Sequence, residues 1–121
     1  MNKQITEDYV SYEIAKLLKE KGFDIPCRQA YFNGSLVDYT MYGFCDGELL
    51  DCPSQSLALK WLREVHNWYI DIRFNRHYQY YIPIVYNMSG TLESIAELEE
   101  RPKQYEQAVE AALKYTLENL I

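Results

Sequence analysis

Cys45, Cys52, His66 and His77 are the residues whose types could bind zinc or build a thiol nucleophile. Structural zinc sites draw their ligands in tight pairs, such as C-x2-C or H-x3-H. Here six, thirteen and ten residues separate successive members. That spacing carries no metal signature, and the ordinary reading is loop or buried cysteines with two histidines at turns. A Cys–His nucleophile pair is equally unconstrained, because a reactive thiol needs an electropositive setting that spacing does not supply. Carboxylates come in runs, Asp46 with Glu48 and Glu97 with Glu99 and Glu100. In an acidic chain such runs are solvated surface. Five glycines are spread singly, so there is no phosphate-cradling loop. These types and spacings predict no catalytic residue, no metal ligand and no cofactor.

One hairpin groups residue types suited to binding. Residues 68–74, WYIDIRF, alternate strictly, with Trp68, Ile70, Ile72 and Phe74 on one face and Tyr69, Asp71 and Arg73 on the other. Residues 75–77 read as a turn and 78–86 as the returning strand, with Tyr80, Ile82 and Ile84 on one face and Gln79, Tyr81 and Val85 on the other. If helices cover one side of this hairpin, Tyr69, Asp71, Arg73, Gln79 and Tyr81 look out together. Tyrosine and arginine are the types enriched at binding hot spots. The bland alternative is a mixed cross-strand face with Asp and Arg paired. Pro83 interrupts the ladder and predicts a sheet edge or a bulge.

The elements that must position these residues follow from periodicity. Tyr105, Ala108, Val109, Ala112, Leu113, Thr116, Leu117 and Leu120 recur at spacings of three and four, which predicts a helix over 102–121. Thr6 as a cap, acids behind it and a stripe of Val10, Ile14, Leu17 and Leu18 predict a helix over 6–21, stopped by Gly22. Phe23 and Ile25 then tuck back onto it. Residues 27–32 and 36–42 read as a hairpin around Asn33-Gly34. Asp46-Gly47 reads as a turn and Leu49-Leu50 as a short edge piece. Pro53, with Asp51 or Ser54 as cap, opens a helix over 54–66 whose stripe is Ala58, Leu62 and Val65, widened by Leu57 and Trp61. Residues 92–99 read as a short helix, broken before Pro102. The expectation is a single α+β domain over 1–121, with an antiparallel sheet of four or five strands and helices on one face, in the order helix-hairpin-helix-hairpin-helix. Residues 16–20, KLLKE, echo 60–64, KWLRE, and each precedes a hairpin, a faint sign of duplication.

Composition limits the function classes. At 121 residues and 48% apolar content the chain can bury a core without metal or disulfide. Its longest apolar run is far short of a membrane span, and its acidic N-terminus does not read as a signal peptide. Three cysteines without paired spacing point to a reducing, cytoplasmic setting. A net charge of −6, with scattered Lys and Arg, weighs against nucleic-acid binding through a basic patch. Twelve tyrosines, against two Trp and four Phe, suit strand surfaces and partner-binding surfaces.

Three stretches, SYEIAKLLKEKGFD (11–24), PSQSLALKWLREVHN (53–67) and YEQAVEAALKYTLENLI (105–121), resemble a group of small uncharacterised proteins of gut anaerobes, often encoded near prophage or other mobile elements. The resemblance covers the helices best and residues 33–52 poorly. It implies a compact α+β domain in a bacterial or phage cytoplasmic setting, and no activity. The resulting expectation is a non-enzymatic interaction or accessory domain, with a homodimer or another protein as its partner. A small metal- or thiol-dependent enzyme is the first alternative. An acidic regulator covering the basic surface of a nucleic-acid-binding protein is the second.

Overall fold

The computed structural model describes residues 5–38, 49–90 and 95–121. In chain order these form α1 (Tyr12–Glu20), β1 (Gln29–Phe32), β2 (Ser35–Asp38), β3 (Leu49–Asp51), α2 (Gln55–His66), β4 (Trp68–Asn75), β5 (Tyr80–Asn87), β6 (Ile95–Glu97) and α3 (Tyr105–Asn119). The strands make two antiparallel sheets, ordered β2-β1-β3 and β4-β5-β6. The α+β class stands, but the expected single sheet of four or five strands becomes two sheets of three. β3 pairs with β1, and α2 with its left-handed cap Asn67 (φ 60°) then carries the chain away before β4 begins. The expected helix-hairpin-helix-hairpin-helix order gains a third strand after each hairpin. The two halves do not repeat: the first strand is central in one sheet and the second strand in the other.

α1 is shorter than its periodicity predicts. Ser11, not Thr6, is the N-cap, and its Oγ accepts from the Ile14 amide at 3.3 Å. The preceding residues are extended because they bond to the start of α2. The Val10 amide donates to the Pro53 carbonyl at 3.1 Å, and the Gln55 amide donates to the Asp8 carbonyl at 2.8 Å. Val10 is fully buried all the same, reaching the core from extended chain. Gly22 ends α1 at φ +97°, a value that strains any residue with a Cβ. The Phe23 amide then donates back to the Leu18 carbonyl at 2.9 Å, and its ring packs edge-on against Trp61 at 5.5 Å.

The first hairpin turns at Asn33 (φ 53°) and Gly34 (φ 82°), both left-handed as a two-residue turn demands. Its returning strand is described to Asp38; the remainder of the predicted strand and the Asp46-Gly47 turn lie outside the described residues. Leu49–Asp51 forms the expected edge piece. Ser54 caps α2, its Oγ accepting from the Leu57 amide at 3.1 Å. Ala58, Trp61 and Leu62 are buried, but Val65 is 57% exposed. His66 takes the inward place instead, 4.7 Å from the Trp61 ring. The short helix expected over 92–99 is corrected: Ile95–Glu97 is strand β6, paired with β5 from Ile84 to Tyr86. Residues 92–94 lie outside the described residues; an isolated two-turn helix is marginal on its own, and pairing with β5 satisfies the backbone of 95–97 instead.

α3 runs through the middle of the packing. Val109, Leu113 and Leu117 join the core built by α1, α2, Val10, Leu50 and Cys52, while Ala112 packs with Val85 and Leu98 under the second sheet. Trp68 and Ile70 touch both clusters and join them. We expect Leu113→Ala to cost about 2–5 kcal/mol in urea unfolding, because Leu113 is fully buried at this seam. Val65→Ala, on the exposed side of α2, should change stability by no more than about 0.5 kcal/mol in the same measurement.

Candidate interaction surface

The second sheet carries the candidate site, and its register decides who faces whom. β4 and β5 pair one to one from Trp68–Asn87 to Asn75–Tyr80. Residues directly opposite each other share a face. Trp68, Ile70 and Ile72 pack against the core. Their face therefore also holds Val85, Pro83 and, opposite Phe74, Tyr81. The outer face holds Tyr69, Asp71 and Arg73 of β4 with Tyr80, Ile82, Ile84 and Tyr86 of β5, and Glu97 of β6 opposite Ile84.

Two predicted site residues are thereby corrected. Tyr81 is on the inner side, against Phe74 (ring centroids 4.9 Å apart) and Tyr105 of α3 (5.8 Å). Gln79 is in the turn at φ 59°, its amide donating to the Asn75 carbonyl at 2.8 Å and its Nε2 to the Arg76 carbonyl at 2.8 Å. The turn takes residues 76–79, one more than the sequence suggests, and a one-residue shift moves every side chain of the returning strand to the other face. Tyr69, Asp71 and Arg73 do come together as expected. Arg73 lies 3.7 Å from the Asp71 carboxylate and donates to the Tyr86 hydroxyl at 3.4 Å, and the Tyr69 and Tyr86 rings stand 6.2 Å apart.

Pro83 is in the central strand, neither at an edge nor at a bulge. Its carbonyl accepts from the Leu98 amide at 3.0 Å, so its backbone groups face β6, just past the last β6 residue, Glu97. Its ring nitrogen thus faces the Leu98 carbonyl, which lacks the reciprocal ladder bond and accepts from the Arg101 guanidinium instead.

The densest part of the outer face has no counterpart in the sequence pattern. Tyr78 and Tyr80 stack nearly parallel, 6° between planes and 5.9 Å between centroids. The Arg101 guanidinium and the Lys103 ammonium lie 5.7 Å and 5.8 Å from the Tyr80 centroid, within cation–π range. Lys103 Nζ also donates to the Tyr78 carbonyl at 3.1 Å. What brings these residues over is the Tyr81 amide, which donates to the Pro102 carbonyl at 2.9 Å and extends the sheet edge past β6. No spacing rule links residues 78–80 to 101–103; the signal was two cations flanking a helix-breaking proline.

The thiol and histidine candidates do not assemble a reactive centre among the described residues. Cys45 lies outside them. Cys52 is fully buried, its thiol 3.3 Å from the Val10 carbonyl, and burial pushes its pKa up to about 12. Burial, with Asp51 nearby, pushes Cys27 up to about 11. The Tyr31 hydroxyl donates to the same Val10 carbonyl at 2.9 Å, and burial, then the Cys52 thiol beside it, raises it to about 12. His66 packs on Trp61, and His77 packs on Tyr78 in the β4–β5 turn, 4.6 Å between centroids. No three His, Cys, Asp or Glu side chains converge among the described residues. A broad open depression of about 690 Å³ lies between α1 and the first hairpin, with Tyr12, Lys16, Lys19, Glu20 and Tyr31 on its walls. No helix among the described residues is long and apolar enough to cross a membrane.

The chain matches no protein-family model, no curated protein and no solved structure.

Both described thiols hold their protons more tightly folded than unfolded. Their contribution to stability is complete below the ordinary thiol pKa of 9.0 and is lost as pH rises through about 11 for Cys27 and about 12 for Cys52. We expect the urea midpoint to fall from pH 9 to pH 11, with a smaller fall in Cys27→Ala. At neutral pH both thiols should alkylate at least roughly a hundredfold more slowly than free cysteine, as quenched-flow mass mapping would read.

Proposed function

We propose that this chain is a small non-enzymatic interaction domain of the bacterial cytoplasm that holds a protein partner on the outer face of the β4-β5-β6 sheet. The observation that carries the reading is the stacked Tyr78–Tyr80 pair with Arg101 and Lys103 against it, on a face that the described helices do not pack against. Tyr78 is 61% exposed, and Tyr69 and Arg73 extend the same surface toward β4. Large rigid rings with polar tips beside an arginine are what binding hot spots are made of, and the Lys103 ammonium adds a second positive charge.

The chemistry of the partner follows from the charges. The chain is acidic overall, yet Arg101 and Lys103 stand together at one end of this face. The complementary partner presents carboxylates around an apolar or aromatic anchor that seats on Tyr78 and Tyr80. The cytoplasmic setting is supported by the unpaired thiols Cys27 and Cys52. The bacterial or mobile-element setting rests on the resemblance of the three helical stretches.

Affinity capture with the full chain as bait, from an extract of the cells that encode it, tests the proposal. The expected result is a protein retained at low salt and released at high salt. The Tyr78→Ala, Tyr80→Ala double variant should lose it while melting within a few degrees of the parent chain. Equal retention by parent and variant would sink the reading.

A further inference from the structure

The backbone edge of β4 is a second surface, distinct from the sheet face. β4 is the longest edge strand among the described residues, eight residues against three in β6, four in β2 and three in β3. No hydrogen bond among the described residues reaches its outer side. Of the features that protect edges it has charged side chains, Asp71 and Arg73, but its pairing with β5 is unbroken by a bulge, and it contains no proline and no lysine. Its core-facing residues Ile70 and Ile72 stay half-exposed, whereas Val85 beside them in the central strand is fully buried. Phe74 at its end is 45% exposed.

The ladder fixes the direction of the free groups. The Met88 amide donates to the Asn67 carbonyl at 2.9 Å, one step beyond the Trp68–Asn87 pair. Antiparallel ladders alternate bonded and non-bonded pairs, so the odd-numbered residues of β4 bond to β5. The amides and carbonyls of Trp68, Ile70, Ile72 and Phe74 therefore point outward.

We propose that this edge pairs with β4 of a second copy, antiparallel and centred on Ile72, to join the two sheets into one of six strands. A two-fold axis perpendicular to a sheet places a residue opposite its own copy, so each register is named by its central residue. Centring on Asp71 sets two aspartates against each other, and centring on Arg73 sets two arginines. Centring on Ile72 sets Asp71 opposite the partner's Arg73 and Arg73 opposite the partner's Asp71, twice by symmetry. On the inner face the same register sets Ile72 against the partner's Ile72 and covers Phe74 with the partner's Ile70. The outward amides and carbonyls of Ile70, Ile72 and Phe74 then meet their counterparts. Charge, apolar cover and backbone bonding agree on one register, and they do so because Asp71 and Arg73 are two residues apart on one strand face. This goes beyond the face reading, since the dimer uses the edge and leaves Tyr78, Tyr80, Arg101 and Lys103 free on both copies.

Sedimentation equilibrium of the full chain tests it by charge exchange. The parent chain should be a dimer. Arg73→Asp alone sets carboxylates against carboxylates and should weaken the dimer roughly tenfold or more. Asp71→Arg alone should do the same with guanidinium groups. The double variant Asp71→Arg, Arg73→Asp restores complementarity and should dimerise again. An equimolar mixture of the two single variants should form a heterodimer, which also shows that each is folded. A monomeric parent chain, a dimer indifferent to Arg73→Asp, or a failure of both the double variant and the mixture to associate would each overturn the proposal. The Tyr78→Ala, Tyr80→Ala chain should remain a dimer, so loss of partner capture and loss of dimer are separate results.

Discussion

Burial of the apolar stripe of α3 is the constraint on which the rest of the structure depends. Ala108, Val109, Ala112, Leu113, Thr116 and Leu117 are all buried along one face of a fifteen-residue helix. Such a face requires apolar surface on more than one element, and here it finds α1 and α2 on one side and the second sheet on the other. Thr116 shows how complete the burial is: its hydroxyl is satisfied within the helix, donating to the Ala112 carbonyl at 2.8 Å. α3 is tied at its ends as well. Glu110 accepts from the Ser11 amide at 2.9 Å, the Glu106 carbonyl accepts from Gln55 at 3.0 Å, and Lys21 donates to the Ile121 carbonyl at 2.8 Å.

That arrangement dictates which surface is left for function. With α3 and the core against the inner side of β4 and β5, the outer side meets no helix among the described residues, and tyrosine accumulates there because one end of the ring tolerates burial against the sheet while the other stays wet. The same packing leaves β4 at an edge. The face and the edge then offer different physics, one through aromatic rings and cations, the other through unpaired backbone groups. The reactive residue types are used differently. Cys52 and Tyr31 turn inward and converge on the Val10 carbonyl, where the extended N-terminal segment meets the start of α2. They act as packing and hydrogen-bonding groups.

Much of this was legible in the chain because it depends on local rules. Helix periodicity over 105–119, the Ser54 cap, the Gly22 stop, the Asn33-Gly34 turn and the alternation of 68–74 are set by neighbours within a few residues, and the structure has each of them. The grouping of Tyr69, Asp71 and Arg73 on one face follows from the same two-residue period. What local rules could not supply is choice among partners. Val10 fits a helical stripe, but the amide of Val10 and the carbonyl of Asp8 bond to residues 53 and 55, and extended chain wins. Residues 95–97 have helical spacing too weak to resist pairing with an open β5. The parity of Tyr81 hinges on whether the turn takes three residues or four, a difference decided by bonds among Asn75, Arg76, Tyr78 and Gln79.

The sequence by itself determined the class of the protein, its principal helices and the inward face of β4, because burial of a periodic apolar stripe can be satisfied in only one orientation. Tertiary structure alone decided that there are two sheets instead of one, that Pro83 is central, and that Arg101 and Lys103 meet Tyr80. Those outcomes rest on hydrogen bonds between segments far apart in the chain. The pairing of Tyr81 with Pro102 across twenty-one residues is one such bond, and no local pattern encodes its register.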